Sequence, residues 1–458
     1  MTLSSASLGR QLCRMTWPML IGLLSILSCQ LVDSAFIGQL GVKPLAAVSF
    51  SIPVYQLVIG FQVGLGIATT AIISTENGAR NNRYAREFGV LVIGTGLVLV
   101  AIIGVLLWCF QETLVALLGA TPEIYPLIRA YWFPWLISCW LGAMLHIGYS
   151  LFRAHGETYA PGMVMVLTSI INVALDPLFI FTFQWGLAGA AWATSAAFAA
   201  GNAILFYRLW RKRLVRWPAV PAQQIARLKR LLNFMAPVTL SQFIPPLAAM
   251  LATAVVASHG DTAIAAWGLG VRLEFFSLII VLALTMAMPP IIGSLRGSGD
   301  LDHILKLVSM AVRIVLLWQL AVAALLFAGA DALAGLLTRD RHTAAILSEF
   351  LWLVPMSFGA LGTCMIVVSV CSAVGAPRLA LAVSALRLFG CYLPLLWIGS
   401  ELAGLTGLFA GVLAGNLLAG AMSWSLYGKL RTSLESQHSR ALHGKCRKQA
   451  LLKLAPQY

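Results

Sequence analysis

Backbone that crosses a bilayer finds no water for its amides and carbonyls, so each crossing segment must satisfy them internally, as a helix does. About 20 apolar residues are enough for one crossing. Twelve runs of that kind follow one another, over 12–38, 46–74, 86–110, 129–151, 161–182, 186–209, 229–258, 262–292, 306–329, 346–372, 377–398 and 402–427. Several exceed the minimum and should tilt or bend. Of 458 residues, 60% are hydrophobic and 10% charged, against about 25% charged in soluble domains. The chain therefore reads as an all-α polytopic membrane protein. The first run is long enough to span and lacks an A-x-A-like exit, so it is expected to remain as a helix.

The net charge is +15, which in a soluble chain would suggest nucleic acid. Here the basic residues crowd one set of loops. Arg10, Arg14, Arg80, Arg83, Arg86, Arg153, Arg296, Lys306 and Arg378 fall on one side, with the run from Arg208 to Arg230 and a tail from Lys429 to Lys453. The other side holds only Lys43, Arg129, Arg339 and Arg341. Basic loops stay in the cytoplasm, so both termini are expected there. No nucleic-acid partner is implied.

The basic stretch also divides the chain. We expect an N-lobe over 1–209, a cytoplasmic linker over 210–228, a C-lobe over 229–427 and a basic tail over 428–458. The shift in numbering that carries Pro18 onto Pro237 also carries Gly41 onto Gly260, Gly78 onto Gly297 and Gly156 onto Gly375. A constant offset across a central linker points to duplication. Six spans per half is an even number, so the repeats are parallel. Transporters built from two parallel halves hold substrate between them and alternate access by rocking.

Three carboxylates lie well inside the spans: Asp33, Asp176 and Glu274. A charge in hydrocarbon costs a few kcal/mol or more and usually marks a functional group. Asp33 and Asp176 both lie five or six residues from the far ends of spans that run in the same direction. At a rise of about 1.5 Å per residue their depths match. Asn172 is one turn before Asp176 on the same face, and Thr194 enters span six at comparable depth. Together they form a site able to hold a proton or a small cation. The second half places Ala252, Cys391, Leu395 and Leu413 at the positions of Asp33, Asn172, Asp176 and Thr194, so coupling reads as an N-lobe task. The roles of Glu274, Arg272 and Arg387 stay open, and Arg313 is near enough to a span end to snorkel.

Pro18 removes a backbone bond fifteen residues before Asp33 and permits a bend in the helix that carries the acid. Tyr131, Tyr149 and Tyr55 are candidates for lining a substrate cavity. Six of the eight cysteines, Cys29, Cys109, Cys139, Cys364, Cys371 and Cys391, fall inside apolar runs without metal spacing and read as small core residues. No metal is expected. The pattern holds no nucleophile–base pair and no H-E-x-x-H cluster, so an enzyme is not implied.

The segments LVDSAFIGQLGVKPLAAVSF, INVALDPLFIF and GLAGAAWATSAAF resemble the multidrug and toxic compound extrusion (MATE) family over nearly the whole chain. The resemblance implies twelve transmembrane helices in two pseudo-symmetric six-helix lobes around a central cleft. It implies a secondary active antiporter that exports cationic or amphipathic drugs and dyes in exchange for H+ or Na+, without a cofactor, in the bacterial inner membrane. NorM-type members carry coupling acids on spans seven and ten. Here those spans offer Gln242, Cys364 and Cys371, with Glu349 only at a mouth. The N-lobe set resembles the DinF-like branch, in which the acid of span one is taken to be protonated as the helix bends at its proline, here Pro18. That favours H+, with Na+ as the alternative ion. In this family Tyr131 and Tyr149 fall where polar residues line the N-lobe pocket; Tyr149 replaces an asparagine of some relatives. A lipid-linked oligosaccharide flippase of the same superfamily is a further alternative. Its pyrophosphate headgroup would need several cavity-facing cations, and Arg272, Arg313 and Arg387 are scattered. The chain is expected to act as a monomer, with membrane lipid and small-molecule drugs as its partners.

Overall fold

The computed structural model describes residues 5–117, 124–218 and 223–454. Among them the secondary structure is helical throughout, in the order α1 (Ser5–Gln39), α2 (Val42–Gly78), α3 (Asn82–Cys109), α4 (Gln111–Leu117), α5 (Tyr125–Ala154), α6 (Tyr159–Pro177) and α7 (Gly186–Arg211). The second half follows with α8 (Gln223–Ala257), α9 (Asp261–Ser277), α10 (Ile279–Ser298), α11 (Leu301–Ala328), α12 (Ala330–Leu337), α13 (Arg341–Leu353), α14 (Phe358–Ala373), α15 (Pro377–Ala385) and α16 (Leu393–Leu454). The chain is an all-α protein of twelve membrane crossings.

Several crossings are built of two pieces. The expected span 262–292 breaks at Leu278 (φ −84°, ψ 1°) into α9 and α10. The span 346–372 is α13 and α14 joined by a tight turn through Pro355. No loop separates the last two crossings. α16 instead reverses at Ala403 and Gly404, where φ reaches −144° and +61°. Glycine alone adopts the second conformation without a Cβ penalty. Helix also takes up part of the expected linker, since α7 runs to Arg211 and α8 begins at Gln223. Residues 1–4 and 118–123 of the N-lobe, 219–222 of the linker and 455–458 of the tail lie outside the described residues.

The repeat has a physical imprint. Gly41 and Gly260 hold φ of +111° and +98°, and Gly156 and Gly375 hold +79° and +77°. The members of each pair, related by the shift between the halves, end or begin a helix where a side chain would be strained. The two halves meet along α2 and α10. A Cβ at Gly78 would collide with the Ser294 carbonyl, and one at Gly297 with the Thr75 carbonyl. Under the same shift Thr75 and Gly78 become Ser294 and Gly297. The contact is thus reciprocal, as at a two-fold axis. Small residues let the helices approach closely enough for packing to hold them.

The same end of the molecule is locked by charge. Arg227 at the start of α8 bonds Glu87 of α3 at 2.8 Å, with both side chains at least nine-tenths buried. Arg230 bonds Glu76 at 2.8 Å, and Tyr84 lies under both guanidinium groups. Leu8, Leu12 and Met15 of α1 join the core of the second half, while Leu231, Met235 and Ala283 join that of the first. Apart from that of Ala283, these contacts lie toward the basic loops. The opposite ends of α2 and α8 leave Ile52, Leu57, Leu247, Met250 and Leu251 exposed. The two six-helix halves flank a central cleft, and their contacts gather toward the basic face, the closed face of the molecule.

Candidate functional site

α1 carries Asp33, half-buried, with Cys29 one turn earlier on the same face. α6 carries Ser169, Asn172 and Asp176, whose spacings of three and four residues place them on one stripe. Asn172 is 4% and Asp176 1% exposed. Thr194 comes from α7. Glycines bring these helices together. Gly162 of α6 lies against the Pro18 carbonyl, Gly22 of α1 against Met165, and Gly189 of α7 against the Phe179 carbonyl. Pro177 cannot donate a helical bond, and the chain widens directly after it into a π-helical turn over Leu178–Thr182. Such turns recur at functional sites.

Asn172 lies between the two acids. Its amide nitrogen is 3.4 Å from Thr194 Oγ1 and 3.5 Å from Asp176 Oδ1, and its amide oxygen is 2.9 Å from Cys29 Sγ. Turned over, the orientation its neighbours favour, the amide donates to both Asp33 oxygens at 3.3 and 3.2 Å. Cys29 Sγ also faces Asp33 Oδ1 at 3.7 Å and the Ser169 carbonyl at 3.8 Å. The Asp33 and Asp176 carboxyl groups are near enough to act on each other electrostatically. Two bare carboxylates would repel, so a proton on one of them relieves the pair. Asp176 Oδ2 is buried without a partner, which costs free energy unless a proton or cation completes it. Among the described residues no group of three His, Cys, Asp or Glu could hold a metal ion. The carboxylate, amide and hydroxyl oxygens here are nonetheless hard ligands of the type a small cation uses.

The structure thus gathers Asp33, Asn172, Asp176 and Thr194. Pro18 stands inside an unbroken α1, where it leaves the Arg14 carbonyl without its helical donor. Tyr131 stacks on Trp135 at 6.2 Å, and Tyr55 meets the same ring at 6.4 Å, in an aromatic panel whose Tyr131 lies in electrostatic reach of Asp33. Tyr149 is not brought to that pocket. It is eighteen residues after Tyr131 on α5, roughly 27 Å along the helix axis. There it packs in the closed end beside Thr168 and Arg153. Glu274 faces Arg387 and Tyr392 in the second half, and Arg272 and Arg313 are exposed. Cys29, expected as a core residue, is buried and is also part of the network. Its position one turn from Asp33 is the signal that marks it. Ser169 and Trp135 join the site with no comparable mark in the sequence.

Comparison with known proteins bears on this site. A family model described as MatE matches residues 18–178 and again 237–398, so that its two matches begin at the equivalent residues Pro18 and Pro237. The FAD transporter of Shewanella oneidensis is 32% identical over 430 residues, covering 93% of this chain and 95% of that protein. The multidrug export protein MepA of Staphylococcus aureus is 23% identical over 434 residues, covering 93% and 95%. Crystal structures of the Vibrio cholerae MATE transporter VcmN, one of an aspartate-to-asparagine variant and one of its bent form, are both 47% identical. Their TM-scores are 0.92 and 0.91, over 94% of this chain and 98% of each of those.

Proposed function

Because the chain belongs to the MatE family of membrane transporters, we propose that it is an antiporter that exports amphipathic or cationic drugs in exchange for H+. Asp33 and Asp176 carry the proton, in the manner of the DinF-like branch. The observation that carries this reading is the wedge of Asn172 between a half-buried and a fully buried carboxyl group, one of whose oxygens has no partner. Asp33 is the more exposed member and takes the proton first. While ionised it holds the Asn172 amide and favours a wet cavity. Once protonated it can donate to Asp176 and tolerates a drier setting. α1 then bends at Pro18 and rolls along α6, for which the Gly162–Pro18 and Gly22–Met165 contacts form the track. The N-lobe pocket is squeezed and cargo leaves. By linkage, bound cationic cargo favours ionised Asp33 to the same degree. Both termini lie in the cytoplasm of a bacterial cell, with the protein in the inner membrane and no cofactor required.

A second reading keeps the mechanism and changes the cargo to a flavin nucleotide. It is favoured by the relative named as a FAD transporter and by the panel of Tyr55, Tyr131 and Trp135, which suits any flat ring system. Proteoliposomes test both readings. Efflux of a cationic dye and of FAD is measured with a pH gradient and a sodium gradient imposed separately. Dye efflux driven by the pH gradient alone supports the proposal, and flux driven only by sodium overturns H+ coupling. Transport of FAD and not of dye selects the second reading.

A further inference from the structure

A cavity of about 420 Å³ lies at the closed face, lined by Gln11 and Met15 of α1, Asn77 of α2, Asn82 and Arg86 of α3, and Ala154, His155 and Gly156 at the end of α5. Pro290, Ile291 and Ser294 of α10 complete it from the second half. Its volume is that of a small-molecule site. Its lining includes no carboxylate. Among the described residues Arg86 makes no ion pair, because the nearby acids are engaged elsewhere: Glu76 with Arg230, Glu87 with Arg83 and Arg227, and Glu157 with Lys212. His155 Nδ1 donates to the Leu151 carbonyl at 2.8 Å, and its buried Nε2 has no partner. Arg153, two residues earlier, is 5% exposed and bonds the Ser150 hydroxyl rather than an acid.

The duplication shows that this polarity is not required by the fold. The counterparts of Asn82, Arg86 and His155 in the second half are Leu301, Leu305 and Val374, which pack in or against its apolar core. The equivalent of Asn77 is Arg296, whose guanidinium covers Gly375, whereas the matching Gly156 has open space around it. One half has filled the position and the other has kept a cationic pocket.

We propose that this pocket binds a phosphate-type oxyanion, which ties the two halves together at the closed face. Arg86 supplies the fixed charge and fork geometry that phosphate oxygens prefer. Asn77, Asn82 and Gln11 add neutral donors. Burial and the neighbouring Arg86 hold the His155 imidazole below its ordinary range, so a neutral ring offers Nε2 as acceptor to the hydroxyl of a monobasic phosphate. A ligand that touches both halves and binds only the closed form stabilises that form by mass action. The oxyanion comes either from a free phosphate compound or from a lipid headgroup at the membrane surface.

The test is thermal unfolding of the purified full chain in phosphatidylcholine nanodiscs, titrated with inorganic phosphate or pyrophosphate against chloride at equal ionic strength. A parallel set replaces part of the lipid with phosphatidylglycerol. Arg86→Leu and His155→Val install the residues of the second half, which that half already packs. We expect saturable stabilisation of the wild type, with affinity at least tenfold weaker in Arg86→Leu and also reduced in His155→Val. Stabilisation by phosphate or pyrophosphate identifies a free-phosphate site, and stabilisation by phosphatidylglycerol alone identifies a headgroup site. If neither stabilises the wild type more than Arg86→Leu, the pocket is not an oxyanion site.

Discussion

Arg227 joins the two halves through a charge that is almost completely withdrawn from solvent. Removing one partner of a buried pair costs about 3–5 kcal/mol, because the other charge is left uncompensated. Glu87 would still hold Arg83 on its other oxygen at 3.0 Å, but the Arg83 side chain is 64% exposed, and such a partner contributes about 0–1 kcal/mol. Arg227→Gln should therefore destabilise the closed face by roughly 2–4 kcal/mol. Even about 2 kcal/mol is roughly a 30-fold change in the equilibrium between closed and open basic faces. Glu87→Gln should cost less, since Arg227 keeps Gln223 at 3.2 Å and the Tyr84 ring at 4.6 Å. The assay is spin-label distance measurement between Arg80→Cys and Asp302→Cys in a cysteine-free background. Both positions are exposed, in different halves, beside the closed face. Double-mutant cycles give the coupling of Glu87 with Arg227 and with Arg83 separately. If the first coupling is no larger than the second, burial of the pair does not hold the face shut.

Other outcomes follow from single contacts. Gly162→Val drives a side chain into the Pro18 carbonyl, so it should impair drug efflux more than tenfold while protein reaches the membrane, as a resistance assay with a quantified immunoblot would show. Cys29→Ser keeps a small polar group against Asn172 and should retain efflux, whereas Cys29→Leu should lose most of it in the same assay. Asp340 caps α13 by accepting from the Thr343 amide and hydroxyl at 2.8 and 2.6 Å, and these bonds hold its carboxyl below the usual range. Its contribution is present above the unfolded-state value and lost as pH falls through the lower folded one. Thermal unfolding should thus show Asp340→Ala less stable than wild type at neutral pH, with the difference vanishing in strong acid.

Much of this architecture is legible because membrane helices announce themselves by length. The offset between the halves is visible in a few glycines and prolines, and the φ values of Gly41, Gly260, Gly156 and Gly375 give those glycines a physical reason. Asp33, Asn172, Asp176 and Thr194 can be gathered by depth alone, because rise per residue is fixed. Depth reasoning on α5 equally separates Tyr149 from Tyr131. Cys29 lies one turn from Asp33 in the sequence, but a thiol in an apolar run reads first as packing, and its contacts with Asn172 and the Ser169 carbonyl appear only in the structure. Hydropathy does not register a break inside a continuous apolar run, which is why Leu278 emerges only in the structure, whereas the boundary expected between 398 and 402 falls within a few residues of the Ala403–Gly404 reversal. Glu87 and Arg227 sit at helix ends, where charge reads first as a topology signal, yet their pairing requires knowing that α3 and α8 touch.

The central claim is that the Asp33–Asp176 pair is the route of the coupling proton. Drug-dependent proton movement in proteoliposomes, followed with a trapped pH dye at zero sodium, addresses it directly. Wild type should release protons into the lumen as drug is pumped out. Asp33→Asn, which keeps the shape and removes the titratable group, should abolish that signal at unchanged protein incorporation, with Asp176→Asn severe and Asn172→Ala milder. Proton movement of wild-type size in Asp33→Asn would contradict the account.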